Sequence, residues 1–510
     1  MKQLLISLLL VLGAQALPAQ QLRNPIIPGF HPDPSVCRVG DDFYVVQSSF
    51  HYFPGVPIYH SKDLVNWELI GNVLDRESQL PLKGANSWLG IYAPTIRYHE
   101  GTFYMITTNV ANGGNFMVTA TNPAGPWSEP VWLKQEGIDP SLYFEDGKCY
   151  MVSNPGAAIW LCEINPKTGE QLTESRQLWR GTGGRHPEGP HIYKKDGWYY
   201  LLISEGGTEL AHKLTIARSR DIYGPYESNP ANPILTNCRM AGQNSQIQGT
   251  GHGDLVQAAD GSWWVTFLAY RNFGGSYHHL GRETCLAPVE WPEGQWPVVN
   301  GGQAIDTLMA VKTLAEQKPR RCVTTPLHMV YIQNPISENY TPVGRGWRLK
   351  AHGSLSENNQ PTFLGRRQES PEMTVETEID TDNLGFGTEA GLTVYQIQDG
   401  HMDLALVKYQ TGTVAVVMKY QIKSLQGEVM GEDSGLPLMQ GKVRLRITSD
   451  GNQYRFLYSC QGGPWKEVTK QDCSLVSTEV VGGFTGVTVG MYADGDGSAT
   501  FNYFDYNEQQ

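Results

Sequence analysis

A short pattern recurs five times in the first 270 residues of the chain. In each copy a distinctive position is followed by a strand-like run, a tight turn and a second run rich in aromatic residues. The leading positions are Asp33, Ala93, Asp139, Glu188 and His252. The turns are Asp41-Asp42, Glu100-Gly101, Asp146-Gly147, Asp196-Gly197 and Asp260-Gly261. Asp-Gly between alternating apolar runs is a strong hairpin signal, so the pattern predicts five β-hairpins.

The spacing of these hairpins predicts a β-propeller. The turn glycines Gly101, Gly147 and Gly197 recur at about the length of a four-stranded propeller blade. Five repeats therefore predict five blades. The first strand of each propeller blade lines the central channel, so equivalent strand starts face one another at one mouth. We expect the five leading positions to meet there, and we expect the two prolines around Asp33 to hold that residue in extended geometry.

The pattern changes near residue 303. Residues 303–330 are predicted to be a linker with a short helix-like piece at 307–310. Residues 331–510 contain alternating apolar and polar strands separated by Gly, Asn and Asp turns, which predicts a β-sandwich. The predicted fold is therefore all-β, with a five-bladed propeller over residues 22–302 followed by a sandwich domain.

The first 19 residues are predicted to be an export signal. Lys2 precedes an apolar run from Leu4 to Leu12, and small residues near Ala19 offer a cleavage site. The run is too short to span a bilayer. We therefore expect an exported protein, either periplasmic or secreted, with no membrane as partner.

Charge and cysteine content narrow the possible partners and crosslinks. The formal net charge is −12 and no long Lys/Arg cluster is present, which argues against nucleic acid or an anionic membrane as partner. The eight cysteines show no dense disulfide framework. Cys460 and Cys473 form the most plausible pair.

Three of the five leading positions are carboxylates, namely Asp33, Asp139 and Glu188. Cleavage of a glycosidic bond needs two carboxyl groups of unequal pKa, one to protonate the leaving oxygen and one to activate water. A third negative charge nearby raises the pKa of the acid. An Asp before Pro commonly shapes a turn, but three carboxylates at matched register favour a catalytic site.

Other residues near the predicted channel mouth have two interpretations each. His252 lies between glycines and could bind a metal ion or water, or be a neutral histidine satisfied by backbone groups. Arg282 could bind substrate or orient a carboxylate, or form an ordinary pair with Glu283. Phe50 and Tyr92 could stack on a sugar face, or pack between blades.

Several longer motifs are shared with a known family. They are Asn24-Pro25-Ile26-Ile27, Gly29-Phe30-His31-Pro32-Asp33-Pro34-Ser35, Phe53-Pro54-Gly55-Val56, His60-Ser61-Lys62-Asp63-Leu64, Ile138-Asp139-Pro140-Ser141, Glu188-Gly189-Pro190-His191 and Gly281-Arg282-Glu283-Thr284. Over residues 24–300 the chain thus resembles glycoside hydrolase family 43. Residues 360–368 resemble the concanavalin-like sandwich appended to the β-xylosidase-like branch of that family.

The resemblance implies specific roles for these residues. It implies a reaction that inverts the anomeric carbon, with Asp33 as general base, Glu188 as general acid and Asp139 as the residue that tunes the pKa of the acid. Arg282 is implied to contact substrate. His252 matches a channel histidine that lies beside a calcium ion in some members, so a structural Ca²⁺ is a further expectation, while catalysis requires no cofactor.

Two departures from the family pattern bear on the substrate, an oligosaccharide or polysaccharide. The family's xylosidases often carry Trp-Ala-Pro where this chain has Tyr92-Ala93-Pro94, and often Phe where it has Ile138. Both positions are implied to line the pocket. We therefore expect release of terminal α-L-arabinofuranose, with β-D-xylose also accepted, from a hemicellulose such as arabinoxylan or xyloglucan. The alternatives are a β-xylosidase proper, an endo-acting arabinanase and a carbohydrate-binding propeller without catalysis.

Overall fold

The computed structural model describes residues 20–239, 242–311, 314–436 and 439–508. Regular structure in these ranges is almost entirely β-strand, with one short α-helix at Thr478–Val481. Single 3-10 turns lie at Asn300–Gly302, Pro326–His328, Ser337–Asn339, Thr381–Asn383 and Cys473–Val476. The predicted export signal at residues 1–19 lies outside the described residues. Among those described, no helix has the length and apolar character needed to cross a membrane.

Five four-stranded antiparallel sheets, here called blades 1 to 5, follow one another along the chain. From inner to outer strand, blade 1 consists of Ser35–Val39, Asp42–Val46, Gly55–Ser61 and Glu68–Leu74, and blade 2 of Thr95–His99, Thr102–Asn109, Gly114–Ala120 and Val131–Trp132. Blade 3 consists of Ile138–Glu145, Lys148–Asn154, Ile159–Ile164 and Arg176–Trp179. Blade 4 consists of Glu188–Lys195, Trp198–Glu205, Lys213–Ser219 and Glu227–Ser228, and blade 5 of Ile247–Gln257, Trp263–Arg271, Glu283–Glu290 and Val298–Val299.

The five first strands form a closed ring. Each contacts the first strand of the next blade, and that of blade 5 contacts that of blade 1. The segment ahead of blade 1 is tied to blade 5, because the Ile26 N–H donates to the Thr284 carbonyl at 2.9 Å and the Asn24 amide donates to the Leu286 carbonyl at 2.9 Å. The predicted all-β fold of propeller and sandwich is confirmed, with five sheets where five blades were expected.

Most of the hairpin turns lie where the sequence predicts them. Glu100-Gly101, Asp146-Gly147 and Asp196-Gly197 all have two residues with positive φ, which is the geometry of the tight turn that matches the twist of paired strands. Blade 1 differs by one residue. Its turn is Gly40-Asp41, because Val39 pairs with Asp42 and Asp42 already begins the second strand.

The predicted helix-like piece at 307–310 is wrong. Leu308–Val311 is a strand that pairs antiparallel with Gln20–Arg23. Its side chains alternate, with Met309 and Val311 buried in the propeller core and Leu308 exposed. This period of two is that of a strand rather than a helix.

The second domain consists of two antiparallel sheets packed face to face. One sheet has seven strands, in the spatial order Tyr340–Val343, Gly346–Lys350, Ser498–Glu508, Glu372–Asp380, Lys442–Asp450, Gln453–Cys460 and Lys466–Asp472. The other has six, in the order Thr362–Arg367, Thr488–Gly495, Thr388–Ile397, Gly400–Lys408, Val414–Ile422 and Leu425–Met430. Alternate apolar side chains of both sheets form the largest buried cluster of the sandwich.

The outer face of the six-stranded sheet packs on the propeller. Phe363 and Tyr395 of the sandwich share one buried cluster with Phe30, Phe50 and Tyr52 of the propeller. A short strand at Tyr331–Ile332 pairs with Tyr52–Phe53. Loop 482–487 of the sandwich also contacts the propeller, because the Val487 N–H donates to the His279 carbonyl at 2.9 Å.

The predicted pairing of Cys460 with Cys473 is wrong, since all eight cysteines are free thiols. Cys460 ends one strand of the seven-stranded sheet, and Cys473 follows the neighbouring strand Lys466–Asp472. The two strands are antiparallel, with Gln453 opposite Asp472. The two cysteines are therefore at opposite ends of the strand pair.

Candidate active site

The structure brings the predicted carboxylates together at one mouth of the propeller channel. Asp33, Asp139 and Glu188 lie at the starts of the first strands of blades 1, 3 and 4. His252 of blade 5 joins them, with its Nδ1 3.9 Å from Asp33 Oδ1. The Gly189 N–H donates to Asp139 Oδ2 at 3.1 Å. Equivalent positions of the repeat therefore converge, as predicted.

The backbone at these positions is left-handed rather than extended. The φ angles are 55° at Asp33, 54° at Asp139 and 42° at His252. The expectation of extended geometry for Asp33 is therefore wrong. Asp and His tolerate this region better than most residues, and non-glycine residues held there cluster at functional sites.

Asp33 is buried and remains ionised. Burial alone raises its pKa, but the Arg282 guanidinium, His252 and the Ser48 hydroxyl outweigh that effect and lower it. Arg282 Nη1 donates to Asp33 Oδ1 at 2.9 Å, and the Ser48 hydroxyl donates to Oδ2. A carboxylate held in this form can accept a proton from water.

Asp139 has the opposite shift. Burial raises its pKa to about 6, and the negative charge of Asp33 adds to the rise, while His252 and the Gly189 N–H oppose it. A side chain at position 189 would place its Cβ 3.0 Å from the His252 ring, and φ is 58° there. The glycine after Glu188 thus allows the backbone of blade 4 to approach His252 closely.

Glu188 holds its proton to higher pH than an ordinary glutamate does. Burial and the negative charges of Asp139 and Asp33 raise its pKa well above the usual range, and the partial opposition of Arg282 does not offset them. Its side chain is 17% exposed, so the carboxyl group is not fully closed off from solvent. Such a carboxylic acid can protonate a leaving oxygen.

Arg282 connects the carboxylates to both domains. Besides Asp33, it donates to Thr208 Oγ1 at 3.0 Å and to the Phe484 carbonyl at 3.2 Å. The alternative of an ordinary pair with Glu283 is wrong, because Glu283 binds Arg271 at 2.7 Å instead.

Aromatic rings form one wall of the site. The Phe50 ring lies 5.2 Å from that of Tyr92 and 5.9 Å from that of Phe484, and the Trp88 ring lies 5.1 Å from that of Phe484. Burial raises the pKa of Tyr92 to about 12, and Asp139, Asp33 and Glu188 contribute to the rise. Tyr92 therefore lies close to all three carboxylates.

A cavity of about 670 Å³ extends from this wall between the two domains. It is lined by, among others, Trp88, Thr208, Gln248, Tyr270, Arg282 and Phe484. Ile138 is half-buried directly before Asp139, and its part in substrate binding stays a prediction.

Several site residues were not singled out from the sequence. Phe484 is supplied by the sandwich, and its only local signal is an aromatic residue after two glycines. Ser48 and Ser204 are hydroxyls that support Asp33 and the His252 backbone; the His252 N–H donates to Ser204 Oγ at 2.6 Å. Thr208, which accepts from Arg282, and His212, which lies beside Glu188, were also not singled out. Serine and threonine are too common for sequence alone to mark them.

The channel beneath the carboxylates does not suit the expected Ca²⁺. Arg97 of blade 2 places its guanidinium there, 2.7 Å from Asp254 Oδ2 and 2.8 Å from His191 Nδ1. A fixed cation already neutralises the channel carboxylate, and a divalent ion beside it would be repelled. Within the described ranges no cluster of three His, Cys, Asp or Glu side chains could hold a metal ion.

Comparisons with known proteins agree with this geometry. The model of glycosyl hydrolases family 43 matches residues 22–297, and that of the β-xylosidase C-terminal concanavalin A-like domain matches residues 323–507. A non-reducing end α-L-arabinofuranosidase, BoGH43B of Bacteroides ovatus, is 41% identical over 99% of this chain and 97% of its own. A xylosidase/arabinosidase of Butyrivibrio fibrisolvens is 39% identical over 95% of this chain and 98% of its own.

A solved structure shares the whole architecture. The GH43B protein of a Bacteroides ovatus xyloglucan locus superposes with a TM-score of 0.90 at 40% identity, covering 96% of this chain and all of that one. Both domains of the chain are therefore matched. The protein belongs to glycosyl hydrolase family 43 and carries the concanavalin A-like C-terminal domain of its β-xylosidase branch.

Proposed function

We propose that the protein is an exo-acting glycoside hydrolase that releases a terminal pentose from a hemicellulose. The observation that carries this proposal is that two carboxyl groups at one channel mouth have pKa values shifted in opposite directions. The pKa of Asp33 is lowered and that of Glu188 is raised, and a pair of carboxyl groups with unequal pKa values is what hydrolysis of a glycosidic bond requires. Relatives named as an arabinofuranosidase and a xylosidase/arabinosidase support the choice of a pentose.

In the proposed mechanism Asp33 is the general base and Glu188 the general acid. Asp33 takes a proton from a water molecule, which attacks the anomeric carbon, while Glu188 gives its proton to the leaving oxygen. Asp139 keeps that proton on Glu188 by its negative charge. Arg282 orients Asp33 and offers its remaining N–H groups to sugar hydroxyls. A single displacement of this kind inverts the anomeric configuration.

The shape of the site favours exo action over the alternatives. Phe484 and Trp88 form a wall that supports a pocket for a chain end, whereas an endo-acting arabinanase needs an open groove. Retention of all three carboxylates argues against a propeller that only binds carbohydrate. Tyr92 and Ile138, in place of larger rings, favour arabinofuranose over xylose.

Other parts of the proposal rest on sequence and family. We propose export to the periplasm or the medium, on the apolar run from Leu4 to Leu12. Arabinoxylan and xyloglucan fragments are the proposed parent substrates. Family 43 enzymes need no cofactor for catalysis, and the structural Ca²⁺ considered from the resemblance is not part of the proposal, because Arg97 occupies the channel.

The first test is hydrolysis of 4-nitrophenyl α-L-arabinofuranoside and 4-nitrophenyl β-D-xylopyranoside by the mature protein. We expect turnover of both, with a preference for the arabinofuranoside. A preference for the xyloside would show that Tyr92 and Ile138 do not set specificity. Hydrolysis of neither would overturn the exo-acting proposal.

A second test examines the assignment of Glu188 as the general acid. Glu188→Ala is expected to lose about 10²-fold or more on an oligosaccharide, whose poor leaving group needs protonation, and much less on an activated aryl glycoside. Glu227→Ala, an exposed glutamate on the outer strand of the same blade, is the matched control. Equal losses on both substrates would contradict the assignment of Glu188 as the acid.

A further inference from the structure

His212 is a buried histidine beside the candidate acid. It directly precedes the third strand of blade 4, and its side chain is 0% exposed. Its Nδ1 lies 3.1 Å from the Gly249 carbonyl oxygen. A carbonyl oxygen only accepts hydrogen bonds, so Nδ1 carries the proton in this contact.

The other nitrogen of the His212 ring faces Glu188. Nε2 is buried, has no hydrogen-bond partner and lies 3.9 Å from Glu188 Oε1. Burial, with His252 and Arg282, lowers the pKa of His212 to about 3. The ring is therefore neutral, and Nε2 is an acceptor without a donor.

The surrounding backbone fixes the orientation of the ring. A side chain at Gly251 would place its Cβ 2.4 Å from His212 Nδ1, so the first strand of blade 5 packs directly on the imidazole. Because the Gly249 carbonyl holds Nδ1, the orientation of Nε2 is fixed as well. The hydrogen-bond donor that Nε2 faces is the carboxyl group of Glu188 in its protonated form.

We propose that His212 is a positioning residue for the general acid, and that its Nε2 accepts a hydrogen bond from the protonated Glu188 carboxyl group until the leaving oxygen takes its place. The inference rests on the proposed function. The 3.9 Å separation exceeds a hydrogen bond. A torsional change of the Glu188 side chain closes it, as contacts of catalytic groups tighten during the reaction.

A neutral acceptor is suited to this task. A hydrogen bond to the protonated form of a carboxyl group favours that form, whereas a cation in the same place would favour the carboxylate. The charged and titratable groups that act on the pair are Asp33, Asp139, Glu209, His252 and Arg282. His212 thus adds to the effect of Asp139. It favours the protonated form of Glu188 and also fixes the direction in which the Glu188 O–H bond points.

The test compares His212→Asn with His212→Gln in the full-length protein. The Asn amide can still donate to the Gly249 carbonyl but offers nothing at the Nε2 position, whereas the Gln carbonyl can reach that position. We expect His212→Asn to lose about tenfold or more in kcat on an oligosaccharide, part of what a general acid contributes. On a 4-nitrophenyl glycoside of the same pentose it should lose much less.

The alkaline limb of the kcat/KM profile gives the second readout. Loss of the acceptor disfavours the protonated form of Glu188, so the limb should move to lower pH in His212→Asn and return toward wild type in His212→Gln. Equal losses on both substrates with an unmoved limb would overturn the proposal and leave a packing role. If Glu188→Ala itself shows no dependence on the leaving group, the assignment of the acid fails instead.

Discussion

Asp33 and Asp139 occupy equivalent positions in blades 1 and 3, yet their pKa values shift in opposite directions. Burial raises the pKa of both carboxyl groups. Asp33 also receives the Arg282 guanidinium at 2.9 Å, which outweighs burial, whereas Asp139 receives the neutral Gly189 N–H at 3.1 Å. The same Asp-Pro-Ser motif thus yields a carboxyl group with a lowered or a raised pKa according to what the neighbouring blades supply.

Replacing Asp139 should change the pH dependence of the reaction. The negative charge of Asp139 is the largest influence on Glu188 after burial and raises its pKa. In Asp139→Asn that charge is lost, so the pKa of Glu188 falls and the alkaline limb of kcat/KM moves to lower pH. A profile measured from pH 4 to 10 tests this, and an unmoved limb would mean that Asp139 acts by geometry alone.

The same variant should be more stable than wild type near neutral pH. The pKa of Asp139 is raised to about 6 by folding, so the folded state binds more protons than the unfolded chain between the two pKa values, and stability falls as pH rises through that window. Asn is neutral at every pH. We expect Asp139→Asn to have a higher melting temperature at pH 7 and no advantage near pH 3. A gain that persists at pH 3 would contradict this account.

At the scale of the strand, every blade contributes to a network of side chains inside the channel. The members come from the five first strands and are Ser35, Arg97, Ser141, His191, Tyr193 and Asp254. The Asp254 carboxylate is central, since it accepts from Ser35 at 2.7 Å and from Arg97 at 2.7 Å. Residues just past the channel mouth therefore join the blades below the reactive groups.

Removal of the Arg97 cation should destabilise the propeller strongly. Arg97→Met leaves Asp254, whose side chain is 1% exposed, as an unpaired buried charge, which costs about 3–5 kcal/mol. Arg97→Met combined with Asp254→Asn removes both charges and should recover part of that loss. Urea unfolding of the two variants measures the difference. A double variant no more stable than the single one would show that the charge pair is not the cause.

Local chemistry explains which elements the sequence could predict. The hairpins could be predicted because an Asp-Gly turn is a local signal within a few residues of the chain. The spacing of the repeat then predicts the register of the hairpin strands. The strand Leu308–Val311 was missed because its partner is Gln20–Arg23, almost the whole propeller away in sequence. These four residues contain no turn signal. Their alternation of exposed and buried side chains indicates a strand only when the pairing partner is known.

At the scale of the molecule, the sandwich completes a site that the propeller begins. The trio of carboxylates could be predicted because the repeat places equivalent residues at one mouth. Phe484 could not, because its position depends on how two domains dock. A Cβ at Gly486 would lie 2.1 Å from the Leu280 carbonyl oxygen, so this close approach of two backbones requires glycine. The loop that carries Phe484 is thereby held beside Arg282.

Phe484 should therefore affect substrate binding rather than folding. Its ring lies 5.9 Å from that of Phe50 and 5.6 Å from the Arg282 guanidinium, so Phe484→Ala opens the wall and lets water reach Arg282. We expect kcat/KM for the aryl pentoside to fall about tenfold, equivalent to about 1.4 kcal/mol, mainly through KM, with little change in melting temperature. Phe386→Ala, which removes a ring that is 56% exposed on the same domain, is the matched control. An unchanged KM in Phe484→Ala would mean that the sandwich supports the propeller without forming the pocket.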